Sequence, residues 1–266
     1  MVEYDPVKER IARAVRRGTA GRKIVFRILD TIFLRTWYVK RAVKRTVPRQ
    51  GSDMGILDAG SGFGQYAYFL ARQYPRAQVK GVEYKQSLAD DCEAFARASN
   101  MQNLTFVQGD LLAYEDEPVY DLIICVDVLE HIEDDAGLMK RFSRWLKPGG
   151  RVILSTPSLY RKHEHDGSFV GEHFRDGYTR EDITEKLNRA GLDIERFEYS
   201  YGVFGDIAWR IGIRNTMQLM AKGAAGRIAG SVYFAMVLIP VLLLMAVDYI
   251  VLNKQGTGLC VTARKT

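Results

Sequence analysis

From residue 51 onward, short apolar runs alternate with segments whose apolar residues recur at helical spacing. "GILDAG" (55–60), "AQVKGVE" (77–83), "LTFVQGD" (104–110), "YDLIICVD" (120–127) and "RVILSTP" (151–157) read as five strands. Between the first two, "QYAYFLARQY" reads as a helix stopped by Pro75. A second helix opens at Ser87 with Asp90 three residues on, the spacing of a capping box, and carries the stripe Leu88, Cys92, Phe95. A third, from about Asp134, buries Leu138, Met139, Phe142, Trp145 and Leu146 and stops at "KPGG". This alternation predicts a Rossmann-like, doubly wound α/β sheet of mostly parallel strands. "GTGLCVTARK" (256–265) reads as its last strand.

Both flanks break the pattern. Residues 22–45 place Ile24, Ile28 and Ile32 four apart beside Val25, Leu29 and Phe33, with basic residues between. They predict a basic amphipathic helix, suited either to lipid headgroups, with Trp37 and Tyr38 near its end, or to a lid over the sheet. Residues 228–247 are twenty consecutive uncharged residues between Arg227 and Asp248, long enough as a helix to cross a bilayer core. A last strand that rejoins the sheet requires the chain to come back, and Pro240 inside the run predicts a break. A shallow in-and-out insertion follows; a buried helical pair closing a substrate pocket or making a dimer contact is the alternative. The expected organisation is a helical arm (1–50), an α/β domain (51–205), a hydrophobic helical insert (206–255) and the last strand (256–266).

Composition changes this picture at one point. Of 266 residues, 38 are Lys or Arg and 32 are Asp or Glu, and the surplus is local: residues 1–50 carry 14 basic residues against 4 acidic ones. A basic arm on a mildly acidic body suits a polyanion, either an anionic membrane or a nucleic acid. The opening "MVEYDPVKER" lacks the apolar stretch of a secretory signal, which places the catalytic part in the cytoplasm. Cys92, Cys125 and Cys260 are too few and too scattered for a disulfide framework and read as reduced thiols.

Ligands of doubly wound sheets bind beyond the carboxyl ends of the strands. There the chain carries Asp58, Gly60, Gly62 and Gly64 after the first strand and Glu83 after the second. Asp110 follows the third, and Asp127, Glu130 and His131 the fourth. A bare turn followed by a carboxylate suits a nucleoside, its hydroxyls gripped by Glu83. The dinucleotide spacing G-x-G-x-x-G fails, because Gln65 occupies the third position and the glycine arrives one residue early. Repeated carboxylates repel phosphates but accept from hydroxyls, an amine and an ammonium, so a phosphate-free nucleoside fits better.

At these residues the chain resembles the class I S-adenosylmethionine-dependent methyltransferases over about residues 51–200. "ILDAGSGFGQ", "GVEY", "VQGDL", "YDLIICVDVLEHIEDD" and "LKPGGRVILSTPS" are similar to that family's successive motifs. The resemblance implies S-adenosyl-L-methionine as cofactor, with contacts from Asp58, Gly60, Gly62, Gly64, Glu83, Asp110, Leu111, Asp127 and His131. It places the glycine turn under the methionine part, Glu83 on the ribose and Asp110 beside the adenine amine. A sulfonium methyl is already activated, so transfer needs chiefly alignment and exclusion of water. A hydroxyl acceptor also wants a base, for which His163, His165 and His173 in "HEHDGSFVGEH" are the candidates. Each of the three is also readable as a loop residue bonding the backbone, or together as zinc ligands, although their spacing matches no zinc pattern and no metal is expected.

The combination predicts a methyltransferase associated peripherally or monotopically with the inner, cytoplasmic membrane face. Its acceptor would be hydrophobic or lipid-like, such as an isoprenoid quinone precursor. The competing readings are an RNA methyltransferase clamped by the basic arm and a non-catalytic, membrane-docked binding protein. "VDVLEH" at the fourth strand lacks the N/D-P-P-Y motif typical of base N-methylation, so no nucleic-acid partner is expected.

Overall fold

The structure, a computed structural model, describes residues 18–47, 53–160 and 174–266. Two helices, α1 (Thr19–Ile32) and α2 (Leu34–Thr46), precede a run of β1 (Gly55–Ala59), α3 (Gln65–Gln73), β2 (Gln78–Glu83), α4 (Gln86–Ala98), β3 (Leu104–Gln108) and β4 (Tyr120–Val126). Then follow α5 (Asp135–Trp145), β5 (Leu146–Pro157), α6 (Arg180–Arg189) and β6 (Leu192–Ser200). The chain leaves the sheet through α7 (Val203–Trp209), α8 (Asn215–Met220) and α9 (Gly223–Ile250) and returns as β7 (Gly258–Lys265).

The seven strands lie in the order β3-β2-β1-β4-β5-β7-β6. The first five are parallel, and β7 runs antiparallel between β5 and β6. The predicted doubly wound sheet is therefore present. One apolar layer packs α2, α3, α4 and two residues of α9, Val241 and Met245, on one face. The other face carries α5 and α6, with Trp145 and Phe142 fully buried. The switch in winding direction falls between β1 and β4, which opens the crevice at their carboxyl ends.

Several local expectations are corrected. The helix at residue 86 has no side-chain cap from Ser87; instead the Gln86 amide donates to Asp90 Oδ1 at 2.7 Å. The arm is not one helix. Phe33 adopts extended geometry (φ −104°, ψ 110°), and the chain turns there because Trp37 Nε1 donates to the Asp30 carbonyl at 2.9 Å, satisfying an acceptor at the end of α1. Trp37 and Tyr38 do not face outward: Tyr38 is 2% exposed and both rings pack edge-on against Tyr249 of α9.

Pro240 does not break α9, which runs unbroken for 28 residues, about 42 Å at the helical rise. The proline lies on the exposed side, while Val241 and Met245 on the opposite side are 4% and 2% exposed and hold the helix through the missing donor. The chain comes back by a helical hairpin instead. α7, a π-helical turn at Arg210–Arg214 and α8 run outward, and α9 runs inward against them. Close approach needs small residues there: a Cβ at Gly230 would lie 2.7 Å from Met220 Cγ and 3.1 Å from the Thr216 carbonyl.

Candidate functional site

The turn after β1 is built by backbone conformations that only glycine adopts freely. Gly60, Gly62 and Gly64 have φ of 78°, 53° and 75°. The amides of Gly60 and Ser61 both donate to the Val82 carbonyl at 2.9 Å, tying the turn to the end of β2. A Cβ on Gly60 would meet Val128 Cγ2 at 2.4 Å, whereas one on Gly62 would meet nothing within 4 Å. The main chain at Gly62 thus faces open space beside the acidic strand ends.

Glu83 ends β2 and is buried, its Oε2 accepting from the Gly62 amide at 2.9 Å and its Oε1 from the Lys85 amide at 3.0 Å. Each oxygen keeps a lone pair for a hydroxyl. Asp110 is exposed just past β3, fixed by the Leu112 amide at 2.9 Å on Oδ1. Leu111 is 6% exposed and belongs to the apolar layer on the α5 face. Asp127 follows β4 with φ 51° and forms an ion pair with Arg35 of α2. His131 closes a single 3-10 turn, Leu129–His131. Glu130 in that turn is 1% exposed and accepts from Thr156 Oγ1 at 3.0 Å, so it braces β4 against β5; burial pushes its carboxyl up. His163, His165 and His173 lie outside the described residues. Among the described residues, no group of three or more His, Cys, Asp or Glu is placed to hold a metal ion.

Asp58 lies beneath the turn, 1% exposed, and accepts from the Ala67 amide at 2.9 Å at the start of α3. Burial pushes its carboxyl up to about 7. In the unfolded chain the same group ionises near an ordinary value of about 4. Between about pH 4 and pH 7 the unfolded state therefore loses its proton first, and this group's contribution to stability falls as pH rises through that window. Asp58→Asn keeps an acceptor for Ala67 and removes the titration. The variant is expected to gain about 2–4 kcal/mol over the wild type between about pH 4 and pH 8 in urea unfolding. A pH-independent difference would show that Asp58 ionises normally.

The arm grips this site. Arg22 of α1 is 2% exposed, and its Nη2 donates to the Phe63 carbonyl in the glycine turn at 2.7 Å while Nη1 pairs with Asp91 at 2.9 Å. Cys92 lies beside both, its Sγ 2.9 Å from Arg22 Nη2. Cys92, Cys125 and Cys260 are all buried, free thiols. Neither Arg22 nor Arg35 was identifiable as a site residue from the sequence, because their partners lie 69 and 92 positions away.

A glycine turn open at Gly62, flanked by acidic ends of successive parallel strands in this strand order, defines a class I S-adenosylmethionine-dependent methyltransferase. The methyltransferase domain family matches residues 50–191, more than half of the chain, and the chain belongs to it, with S-adenosylmethionine as cofactor. The donor set fits that group: hydroxyl-accepting carboxylates, no phosphate-binding lysine in the turn and a cradle that a side chain at Gly62 would fill.

The chain is 27% identical over 140 residues to the ubiquinone biosynthesis O-methyltransferase of Rickettsia akari, 53% of this chain and 55% of that one. It is 30% identical over 99 residues to (S)-coclaurine N-methyltransferase of Papaver somniferum, 37% of this chain and 28% of that one. The chain thus spans about half or less of the length of these relatives. Phosphoethanolamine N-methyltransferase 2 of Haemonchus contortus, solved with S-adenosyl-L-methionine, superposes with a TM-score of 0.61 at 20% identity, over 96% of this chain and 60% of that one. A methyltransferase of Mesorhizobium loti gives 0.56 at 20% identity, over 88% and 100%. At these identities the structural likeness is one of fold.

Proposed function

We propose that the protein transfers the methyl group of S-adenosylmethionine to a lipid-like acceptor at the cytoplasmic face of a membrane, such as an isoprenoid quinone precursor, a reading supported by its likeness to a ubiquinone biosynthesis O-methyltransferase. The Gly60–Gly64 main chain would lie under the methionine part, Glu83 on the ribose hydroxyls and Asp110 beside the adenine amine. Asp58, beneath the turn, would hold it in place through the Ala67 amide. The cofactor supplies an activated methyl. The chain supplies alignment and, through α1, α2 and the insert, exclusion of water.

The observation that carries the membrane reading is the outer side of α9. Ile228, Val232, Met236, Ile239, Leu243 and Val247 are 41% to 70% exposed and recur three or four apart, one continuous stripe. The most apolar 18-residue stretch of the helix is apolar enough for a bilayer, with a mean hydropathy of 2.4, and only 17% of it is buried. A stripe of this size is uncommon on a surface facing water. Between Ile207 and Val247 the hairpin carries Arg210, Arg214, Lys222 and Arg227 and no acidic residue, a pattern suited to anionic headgroups. With its returning end anchored in the domain, the hairpin supports insertion into one leaflet rather than a crossing.

The nucleic-acid reading loses its main support in the arm. Arg22, Arg35, Lys40, Arg41 and Arg45 are paired with carboxylates of the protein itself. The protein is expected to sediment with phosphatidylglycerol vesicles, and Met236→Glu/Ile239→Glu/Leu243→Glu is expected to stay in the supernatant while binding S-adenosylhomocysteine as the wild type does. Lipid extracts from cells holding the wild-type protein should contain a species heavier by one methylene than extracts from cells without it. A wild-type protein that ignores anionic vesicles would remove the membrane from the reading.

A further inference from the structure

At the switch point between β1 and β4, polar groups from three elements converge on one residue of a fourth, Arg35, that the cofactor assignment does not use. Arg35 of α2 pairs with Asp127 beyond β4. Its backbone amide donates to the Tyr201 hydroxyl at 3.2 Å, just past β6. The Tyr66 hydroxyl, on α3, faces the same guanidinium and shares a 3.3 Å hydrogen bond with Thr36 Oγ1. Arg35 Nε is buried and has no hydrogen-bond partner. Asp127 and Tyr201 both hold left-handed backbone conformations, φ 51° and 53°, which are costly for residues with a side chain. Strain of this kind is retained where surrounding contacts fix a functional geometry.

Burial pushes the Tyr66 and Tyr201 hydroxyls up against the pull of Arg35, so both stay protonated and able to donate. A guanidinium presents five donors in a fork, of which Asp127 engages only part. The cluster is also continuous with apolar surface. The Trp209 ring lies 6.2 Å from Tyr201 and 6.5 Å from Phe33, forming an aromatic wall that leads from Arg35 toward the hairpin. The cofactor bears one net positive charge, its sulfonium and ammonium against one carboxylate. Seated on the glycine turn, that charge would leave the neutral Arg35–Asp127 pair short of an anion.

We propose that Arg35, with the Tyr66 and Tyr201 hydroxyls, forms an anion subsite for the methyl acceptor, which is therefore an apolar molecule carrying an anionic oxygen, a carboxylate or an ionised phenol, rather than a neutral lipid. The inference rests on the methyltransferase reading above. Asp127 holds the guanidinium in place, and the acceptor's anionic oxygen takes the donors that Asp127 leaves. The aromatic wall takes the apolar part, in line with the stripe on α9.

The test uses the full-length protein saturated with S-adenosylhomocysteine and two probes of the same shape, 4-butylbenzoate and neutral 4-butylbenzamide, titrated by calorimetry. The wild type is expected to bind the acid at least about tenfold more tightly than the amide, the worth of a charge-assisted hydrogen bond. Arg35→Gln should abolish that preference. Arg35→Lys should keep part of it, because an ammonium supplies charge without the fork. Tyr201→Phe, which deletes a single hydroxyl, should weaken the acid and leave the amide unchanged. Equal affinities for acid and amide in the wild type, or a preference that survives in Arg35→Gln, would overturn the subsite while S-adenosylhomocysteine still binds. Failure of the wild type to bind S-adenosylhomocysteine is a separate result and would overturn the methyltransferase reading beneath it.

Discussion

Asp248→Ala is expected to lower the unfolding free energy by about 2–4 kcal/mol, from lost hydrogen bonds to a buried carboxylate and the neutral donors left without an acceptor. Asp248 is 0% exposed at the end of α9, where the uncharged run stops. Its Oδ1 accepts from the Tyr38 hydroxyl at 3.0 Å and from Asn253 Nδ2 at 3.1 Å, and its Oδ2 from the Gly205 amide at 2.9 Å. One carboxylate thus joins α2, the start of α7, the end of α9 and the turn toward β7. Alanine would leave the Gly205 amide buried without an acceptor, which alone costs about 1–3 kcal/mol. Against a total stability of about 5–15 kcal/mol for a domain, the loss is large. Urea unfolding followed by circular dichroism measures it, and limited proteolysis should show α2 and the hairpin released together. A shift below about 1 kcal/mol would mean that water or a neighbour replaces the carboxylate easily.

Glu83→Ala is expected to weaken S-adenosylhomocysteine binding by about 10- to 100-fold, the equivalent of about 1.5–3 kcal/mol for hydrogen bonds to a charged group. Two effects combine. The carboxylate would lose its ribose contacts, and the Gly62 and Lys85 amides would lose the acceptor that fixes the open turn. Those two amides also make the substitution destabilising, by about 1–2 kcal/mol. Glu83→Gln, which keeps an amide oxygen for one of them, should recover much of the stability but less of the affinity. Calorimetry and thermal unfolding separate the two quantities. Unchanged affinity in Glu83→Ala would move the ribose contact to another residue.

The parallel half of the sheet was legible because its strands are buried on both faces and read as apolar runs ending in acid, as in "YDLIICVD". Local chemistry carries such signals. The edge was less legible. β6 holds Leu192, Ile194, Phe197 and Tyr199, an alternation that slips by one residue where the register shifts between Ile194 and Arg196, so neither period fits throughout. The helix before it was not among the predicted elements, although Thr179 accepts from the Asp182 amide at 3.1 Å, a capping pattern that "TRED" carries.

What no local pattern carries is pairing across distance. Tyr38 meets Asp248 at a separation of 210 residues. That contact turns an aromatic pair suited to headgroups into an internal one. Pro240 was misread for a related reason: whether a proline ends a helix depends on what holds the turns on either side, here the packing of Val241 and Met245. In the candidate site the glycines and strand-end acids could be placed from their spacing alone, while Arg35 and Tyr201 could not, because tertiary packing brings them there.

The position of β7 has a consequence during synthesis. Among the described strands, β6 pairs only with β7, and β7 is made after the others. While the nascent chain is still on the ribosome, β6 is therefore an orphan edge, and β5 lacks its outer neighbour. The Ser200–Gly258 pairing that joins β6 to β7 closes a loop of more than fifty residues, whose entropic cost the helical hairpin lowers by folding back on itself. By then the greasy side of α9 has already emerged. If α9 docks on a membrane as proposed, docking and completion of the sheet would become a single event.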